Sequence, residues 1–385
     1  MSTLLRYLAV PAFALSMLGA AFGQEYNQVN LVANAAGVAA NSDSNLVNPW
    51  GLARGSGTPW WVADNLTGMS TLYNGSGSQL PLKVTIPGAK TGTTGTPTGI
   101  AYNGNPNAFL VAPGAPALYV FCTLDGMIVG WNHNVGAMPV ARNTDGSSYT
   151  GLTIAMDDGQ PKLYVANFNL GTIDIYNSSF QMIARDGLPS SGQGNPSARD
   201  GLGNFRDPLL PPQYVPFNVQ AIGGDIVVTY ALHQPGQLRE TDGPGNGYVD
   251  IYSPDGILLR RLQHGNWLNA PWGVALAPLD FGAYSHDLLV GQFAGGGMTQ
   301  SSGYIVAYDL TAGRMVGLLK DPNGNPISIN GIWGISFGNM SPNNYDSAGA
   351  PSAEMYFTAG PNHGSEGLFG YLTAVSSDLT EGSVQ

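Results

Sequence analysis

Cysteine is almost missing from this chain: Cys122 is the only one in 385 residues. No disulfide can form within one copy, so a cross-linked scaffold is excluded. Charge is scarce as well. Only 10% of residues are charged, and 14 Lys+Arg face 25 Asp+Glu for a formal net charge of -11. No Lys/Arg-rich stretch offsets this locally, so phosphate backbones are repelled and nucleic acid is not expected as a partner. Zinc spacing, a Walker loop, His-Glu-x-x-His and a Gly-x-Ser-x-Gly elbow are all absent. After residue 23 no apolar run approaches the ~20 residues of a spanning helix, so the mature chain is expected to have no transmembrane segment.

What is abundant is glycine and proline, 54 and 27 residues, beside 43% hydrophobic and 10% aromatic residues. The apolar fraction supports a large core. Gly and Pro cost a helix interior about 1 and about 3 kcal/mol each, so long helices are excluded and an all-β chain follows. Residues 1–23 read as a signal peptide: Arg6, an apolar run from Tyr7 to Phe22, then Ala21-Phe22-Gly23 ahead of Gln24. A membrane anchor is the alternative, but the run is short for one. Cleavage near Gly23/Gln24 would leave a secreted or periplasmic protein with a polar tail over 376–385. Cys122 lies in the apolar run Leu118-Tyr119-Val120-Phe121-Cys122 and reads as a small buried hydrophobe.

Self-similarity organises the rest. Six phrases place a Gly, or in one case Asn218, shortly after a Pro or aromatic: Pro49-Trp50-Gly51, Pro97-Thr98-Gly99, Tyr149-Thr150-Gly151, Pro216-Phe217-Asn218, Pro271-Trp272-Gly273 and Ile332-Trp333-Gly334. Each is followed by a second and a third strand-like run, the third carrying an aromatic. A fourth appears in five units, starting with Leu80 to Ile86. The sixth lacks one, and the unpaired stretch Gln28 to Ala33 can supply it. The pattern predicts a single domain over 24–375, a six-bladed β-propeller whose N-terminal strand closes the last blade. Two stacked sandwiches would not explain the repeated phrases. The insertion from Asp186 to Tyr214 is rich in Gly, Pro and Ser and reads as a loop rather than a seventh blade.

These phrases, with Trp61-Val62-Ala63-Asp64-Asn65, Asn218-Val219-Gln220, Pro271 to Pro278, Asp287 to Gly291, Phe357 to Asn362 and Gly367 to Gly370, resemble a family of uncharacterised secreted bacterial proteins related to NHL-repeat propellers. Some members of that family carry a PEP-CTERM sorting tail. Here no PEP motif, apolar segment or basic end follows Leu372. The resemblance implies an exported propeller and supplies no activity; it also implies an axial cation, as in NHL-like relatives.

In such blades the loops before the first strand and after the second share one face at the mouth of the axial channel. The residues expected there are Asn48, Asp64, Asn65, Asn167, Asn169, Asn218, His233, Asn269, Trp272, Gln292, Asn330, Trp333, Asn362 and His363. As ligand-binding candidates we take Asn48, Asp64, Asn65, Asn167, Asn218, Asn269, Trp272, Asn330 and Trp333. Asp64, Asn167, Asn218 and Asn269 offer oxygens for Ca²⁺. Turn capping is the other reading of these asparagines. His233 or His363 is the candidate general base, with Glu366 or Asp64 orienting the ring; a plain loop histidine is the alternative. Trp50, Phe217, Trp272 and Trp333 recur at one blade position, which argues packing before sugar stacking. Asp321 to Pro326 lacks the Gly and Glu of a calcium loop and reads as a hairpin turn.

The function expected is a non-catalytic, monomeric binding module for an extracellular polymer, protein or small polar ligand. The alternative is a calcium-dependent hydrolase or lyase, lactonase-like, with its site at the axial channel.

Overall fold

A computed structural model describes residues 25–187, 204–293, 303–338 and 353–375. The expected leader, the tail and residues 188–203 of the insertion lie outside them. Helical backbone among the described residues is one 3-10 turn, Gly282–Tyr284. Everything else regular is strand. First come β1 (Tyr26–Ala33) and the short β2 (Asn41–Ser42). Blade 1 is β3 (Pro49–Ala53), β4 (Trp60–Asp64), β5 (Met69–Tyr73) and β6 (Val84–Thr85). Blade 2 is β7 (Pro97–Tyr102), then, past the small hairpin β8 (Leu110–Ala112) and β9 (Ala115–Pro116), β10 (Tyr119–Thr123), β11 (Met127–Asn132) and β12 (Gly136–Arg142). Blade 3 holds β13 (Tyr149–Asp157), β14 (Gln160–Asn167), β15 (Thr172–Tyr176) and β16 (Met182–Gly187). Blade 4 holds β17 (Tyr214–Ile222), β18 (Asp225–Leu232), β19 (Gly247–Tyr252) and β20 (Leu258–Arg261). Blade 5 holds β21 (Pro271–Leu276), β22 (Leu288–Gln292), β23 (Ile305–Asp309) and β24 (Arg314–Leu318). Blade 6 starts with β25 (Ile332–Phe337), β26 (Met355–Ala359) and β27 (Leu368–Ala374).

The sixth sheet is completed by β1, antiparallel to β27 in the register Tyr26↔Ala374 through Ala33↔Leu368. The protein is therefore a six-bladed β-propeller closed by its leading strand. The six opening phrases are the six inner strands. Their small residue has a steric cause, because each inner strand abuts the next around the axis. A Cβ on Gly51 of blade 1 would stand 2.6 Å from the Thr98 carbonyl of blade 2, and one on Gly273 of blade 5 would stand 2.3 Å from the Trp333 carbonyl of blade 6. Gly334 closes the circle against Trp50. Blade 4 carries Asn218 instead, and its Nδ2 donates to the Trp272 carbonyl at 2.7 Å.

Each blade face is sealed against its neighbour by an apolar cluster, such as Trp61, Leu72, Phe121 and Trp131 between blades 1 and 2. Cys122 belongs to the cluster between blades 2 and 3, where burial pushes its thiol up to about 12. Residues 204–213 of the insertion contain no strand and tuck Phe205 and Leu210 between blades 3 and 4. The Asp321 segment folds back on itself, with Asp321 Oδ1 accepting the Asn323 and Asn325 amides, each at 2.9 Å.

Candidate functional site

The second residue of each opening phrase points toward the axis, and four of the six are aromatic. Trp50 and Trp333 stack at 3.6 Å between ring centroids, and Trp272 meets Trp50 edge-on at 6.1 Å. Phe217 approaches Trp50 from the opposite side of the ring at 6.4 Å. Phe293 stacks on Trp333 at 4.0 Å, and Phe168 packs on Phe217 at 5.4 Å. The result is an aromatic plug across the axial channel. Beneath it remains a cavity of about 20 Å³ lined by inner-strand residues including Gly51, Gly99, Asn218 and Gly334, room for about one water.

The plug is uneven because blades 2 and 3 carry Thr98 and Thr150 at the aromatic position. On that side a hollow of about 30 Å³ opens over Trp50, Phe168, Phe217 and Trp333, with Thr150 and Glu240 in its walls. Glu240 comes from the loop between β18 and β19, closed at its base by the Thr241 amide on the Leu232 carbonyl at 2.8 Å. The same loop presents Leu238, 92% exposed, at the mouth. Burial raises the Glu240 carboxyl, opposed by its backbone hydrogen bond and by Arg239.

The indole N–H groups of the plug are unequal. Trp272 Nε1 donates to the Thr150 carbonyl at 2.9 Å, and Trp333 Nε1 to Asn48 Oδ1 at 3.0 Å. Trp50 Nε1 is buried and has no acceptor. Leaving such a donor unmet costs about 1–3 kcal/mol.

Most of the asparagines expected at the mouth are engaged in hydrogen bonds, some of them between blades. Asn48, at φ 47, gives Nδ2 to Asn65 Oδ1 at 3.3 Å while its oxygen holds Trp333. Asn65 passes the contact on to the Pro97 carbonyl of blade 2 at 3.1 Å. Asn167 donates to Asp174 and Ser147, and its oxygen accepts the Ser148 and Leu170 amides. Asn269 Oδ1 accepts the Gly243 amide, and Gln292 Oε1 accepts the Asn269 amide, at 2.8 and 2.9 Å. Asn169 reaches the Gly146 carbonyl, and Asn330 is exposed.

Asp64 is fully buried at the end of β4 with neither carboxyl oxygen hydrogen-bonded. Burial pushes its carboxyl well above the usual range, with nearby Thr71 opposing and Asp43 reinforcing. No hydrogen-bond network draws Asp64, Asn167, Asn218 and Asn269 together. Among the described residues no three His, Cys, Asp or Glu side chains gather for a metal. An axial calcium ion held by these four does not fit, because the Asn167 and Asn269 oxygens already face backbone amides.

His233 packs its ring on Phe168 at 4.6 Å, and its Nε2 lies 2.8 Å from the Gln237 carbonyl; it does not line the hollow. His363 and Asn362 are exposed with positive φ, 57 and 51, in the β26–β27 turn. Glu366 stands in that turn too, its carbonyl accepting the Asn48 amide at 3.0 Å, and no hydrogen bond joins its carboxylate to His363. The candidates named from the sequence did not include Phe168, Phe293 or Thr150. For the two phenylalanines a signal existed: each directly follows the amide that ends a second strand, Asn167-Phe168 and Gln292-Phe293.

No family model matches the chain. Among solved structures, virginiamycin B lyase from Staphylococcus aureus aligns with a TM-score of 0.48 at 11% identity, over 91% of this chain and 99% of that one. Hydrazine synthase of Kuenenia stuttgartiensis aligns at 0.49 and 12% identity, over 82% and 75%. The sequence relatives come from Acanthamoeba polyphaga mimivirus, and they lend no support to a bacterial, PEP-CTERM-associated origin. Uncharacterized protein R648 is 29% identical over 352 residues, 89% of this chain and 78% of that protein. Uncharacterized protein L690 is 30% identical over 352 residues, 89% of this chain and 84% of its own length. With that identity over nearly the whole ring, the chain belongs to the family of the uncharacterised mimivirus protein L690.

Proposed function

We propose that the protein is an exported, monomeric binding module that takes a polar, uncharged ligand at the hollow above its aromatic plug. The observation that carries this reading is the buried indole N–H of Trp50, the one plug tryptophan without an acceptor. A ligand oxygen would satisfy it. At about 30 Å³ the hollow admits a hydroxyl-sized group and not a sugar ring. The ligand therefore inserts one polar group between Trp50 and Glu240 and lays its body against Leu238 at the mouth. A polyhydroxylated polymer has that chemistry. The leader-like segment Met1 to Gly23 supports export.

Tryptophan fluorescence titrated with cellohexaose and chitohexaose tests the site. The expected result is a saturable change for at least one oligosaccharide, lost in Trp50→Phe, which removes the donor and keeps the ring. An unchanged titration in Trp50→Phe, or no response to either sugar, would overturn the hollow as the ligand site. Release of shortened sugars on long incubation would overturn the non-catalytic part of the reading.

A further inference from the structure

A second cleft lies on the rim of the ring, far larger than the hollow at the axis. It measures about 380 Å³, within the size range of small-molecule sites. One wall is the hairpin between β6 and β7, which carries Lys90 and Thr93; the other is the outer strand β12 with Pro139 and Arg142, over a floor that includes Met127. The hairpin is fixed rather than loose. Its Gly88 amide donates to the Thr93 carbonyl at 2.9 Å, and its Ala89 amide donates to Asp125 Oδ2 at 2.7 Å. Asp125 is thereby turned to the hairpin backbone and does not line the cleft.

The lining holds two cations and no carboxylate, on a chain whose net charge is -11. Lys90 and Arg142 are exposed, and neither forms an ion pair among the described residues. Local positive charge in a concave surface of an acidic protein concentrates anions there. The rest of the lining is mainly apolar, so a strongly hydrated inorganic anion would gain little from it. An anion with an apolar body would use both parts, and a guanidinium fork suits a carboxylate.

We propose that the rim cleft between the β6–β7 hairpin and β12 binds a small amphipathic organic acid, its carboxylate between Arg142 and Lys90 and its body against Met127 and Pro139. Titration calorimetry of the whole protein with benzoate, cyclohexanecarboxylate and benzamide tests this. Both acids are expected to bind, with benzamide at least about tenfold weaker. Arg142→Ala and Lys90→Ala are each expected to weaken the acids by about fivefold or more, with unaltered thermal melting because both side chains are exposed. The cellohexaose and chitohexaose responses at the axis are expected to persist in both variants, which separates the two sites. Equal affinity for benzamide, binding unchanged in both variants, or no heat from either acid up to about 10 mM would overturn the proposal.

Discussion

Blades 1 and 3 bury an acid at almost the same place and treat it in opposite ways. Each second strand ends on an amide or acid that pairs with the start of the inner strand, Asp64 with Pro49 and Asn167 with Tyr149. On the third strand the types are exchanged, with Thr71 in blade 1 and Asp174 in blade 3. Asp174 is completely enclosed, yet Arg185 of β16 forks onto it with two bonds of 2.8 Å. Tyr149, Asn167 and Thr172 add bonds of 2.8, 3.0 and 2.9 Å. Asp64 accepts none. The difference lies in the fourth strand, which has six residues in blade 3 and two in blade 1. Blade 4 stands between the two: its Asp250 has one bond from Tyr252 at 3.2 Å, and the Arg261 Nε is 3.8 Å away. A propeller blade can bury an acid safely when its outermost strand is long enough to bring an arginine back over it.

Removing the compensating charge from blade 3 is the most damaging way to erase the contrast. Arg185→Ala is expected to cost about 3–5 kcal/mol in denaturant unfolding, because it strands a buried carboxylate. A loss below about 1 kcal/mol would show that Asp174 is satisfied without it. The reverse change should repair blade 1. Asp64→Asn places there the residue that blade 3 already has, and is expected to stabilise by about 1–3 kcal/mol at pH 8 and by much less at pH 5. Here the sign follows from the raised carboxyl: the folded state keeps a proton that the unfolded chain has released, so stability declines as pH rises.

Blade 4 sharpens the comparison further. Burial lifts Asp250 to about 7, so its contribution is fully present below the unfolded value near 4 and is lost as pH climbs through about 7. Asp250→Asn should remove up to about 1.4 kcal/mol per pH unit from the fall in stability between pH 5 and 7. Melting curves across that interval that keep the wild-type slope would contradict the assignment. The smallest effect belongs to the axis: Trp50→Phe is expected to be neutral or stabilising by about 1 kcal/mol, since it removes an unmet donor.

Much of the ring was legible in the sequence because its cause is local and repeated. Glycine stands where one inner strand touches the next in five blades and Asn218 in the other, and these matching positions define six blades. Closure by β1 was legible by subtraction, as the sixth unit lacked its fourth strand. Boundaries were less so. The run from Leu80 to Ile86 pairs with β5 as a strand only over Val84–Thr85, and Pro81 within it has no amide to donate. The site was harder still. Which carbonyl or amide each asparagine meets depends on residues distant in the chain, often on the neighbouring blade. The hollow arises where Thr150 stands in place of an aromatic, beside the loop that carries Glu240, 90 residues further along, a juxtaposition that no periodicity encodes.

The pairing of β1 with β27 also sets how the molecule bears mechanical load. The Val375 amide donates to the Glu25 carbonyl at 3.1 Å, so the two ends of the described ring lie side by side on one sheet. Tension between them would meet the ladder from Tyr26↔Ala374 inward one rung at a time, as a zipper opens, instead of shearing all its bonds together. A ring held together by packed apolar faces would thus yield readily to a pull at this seam.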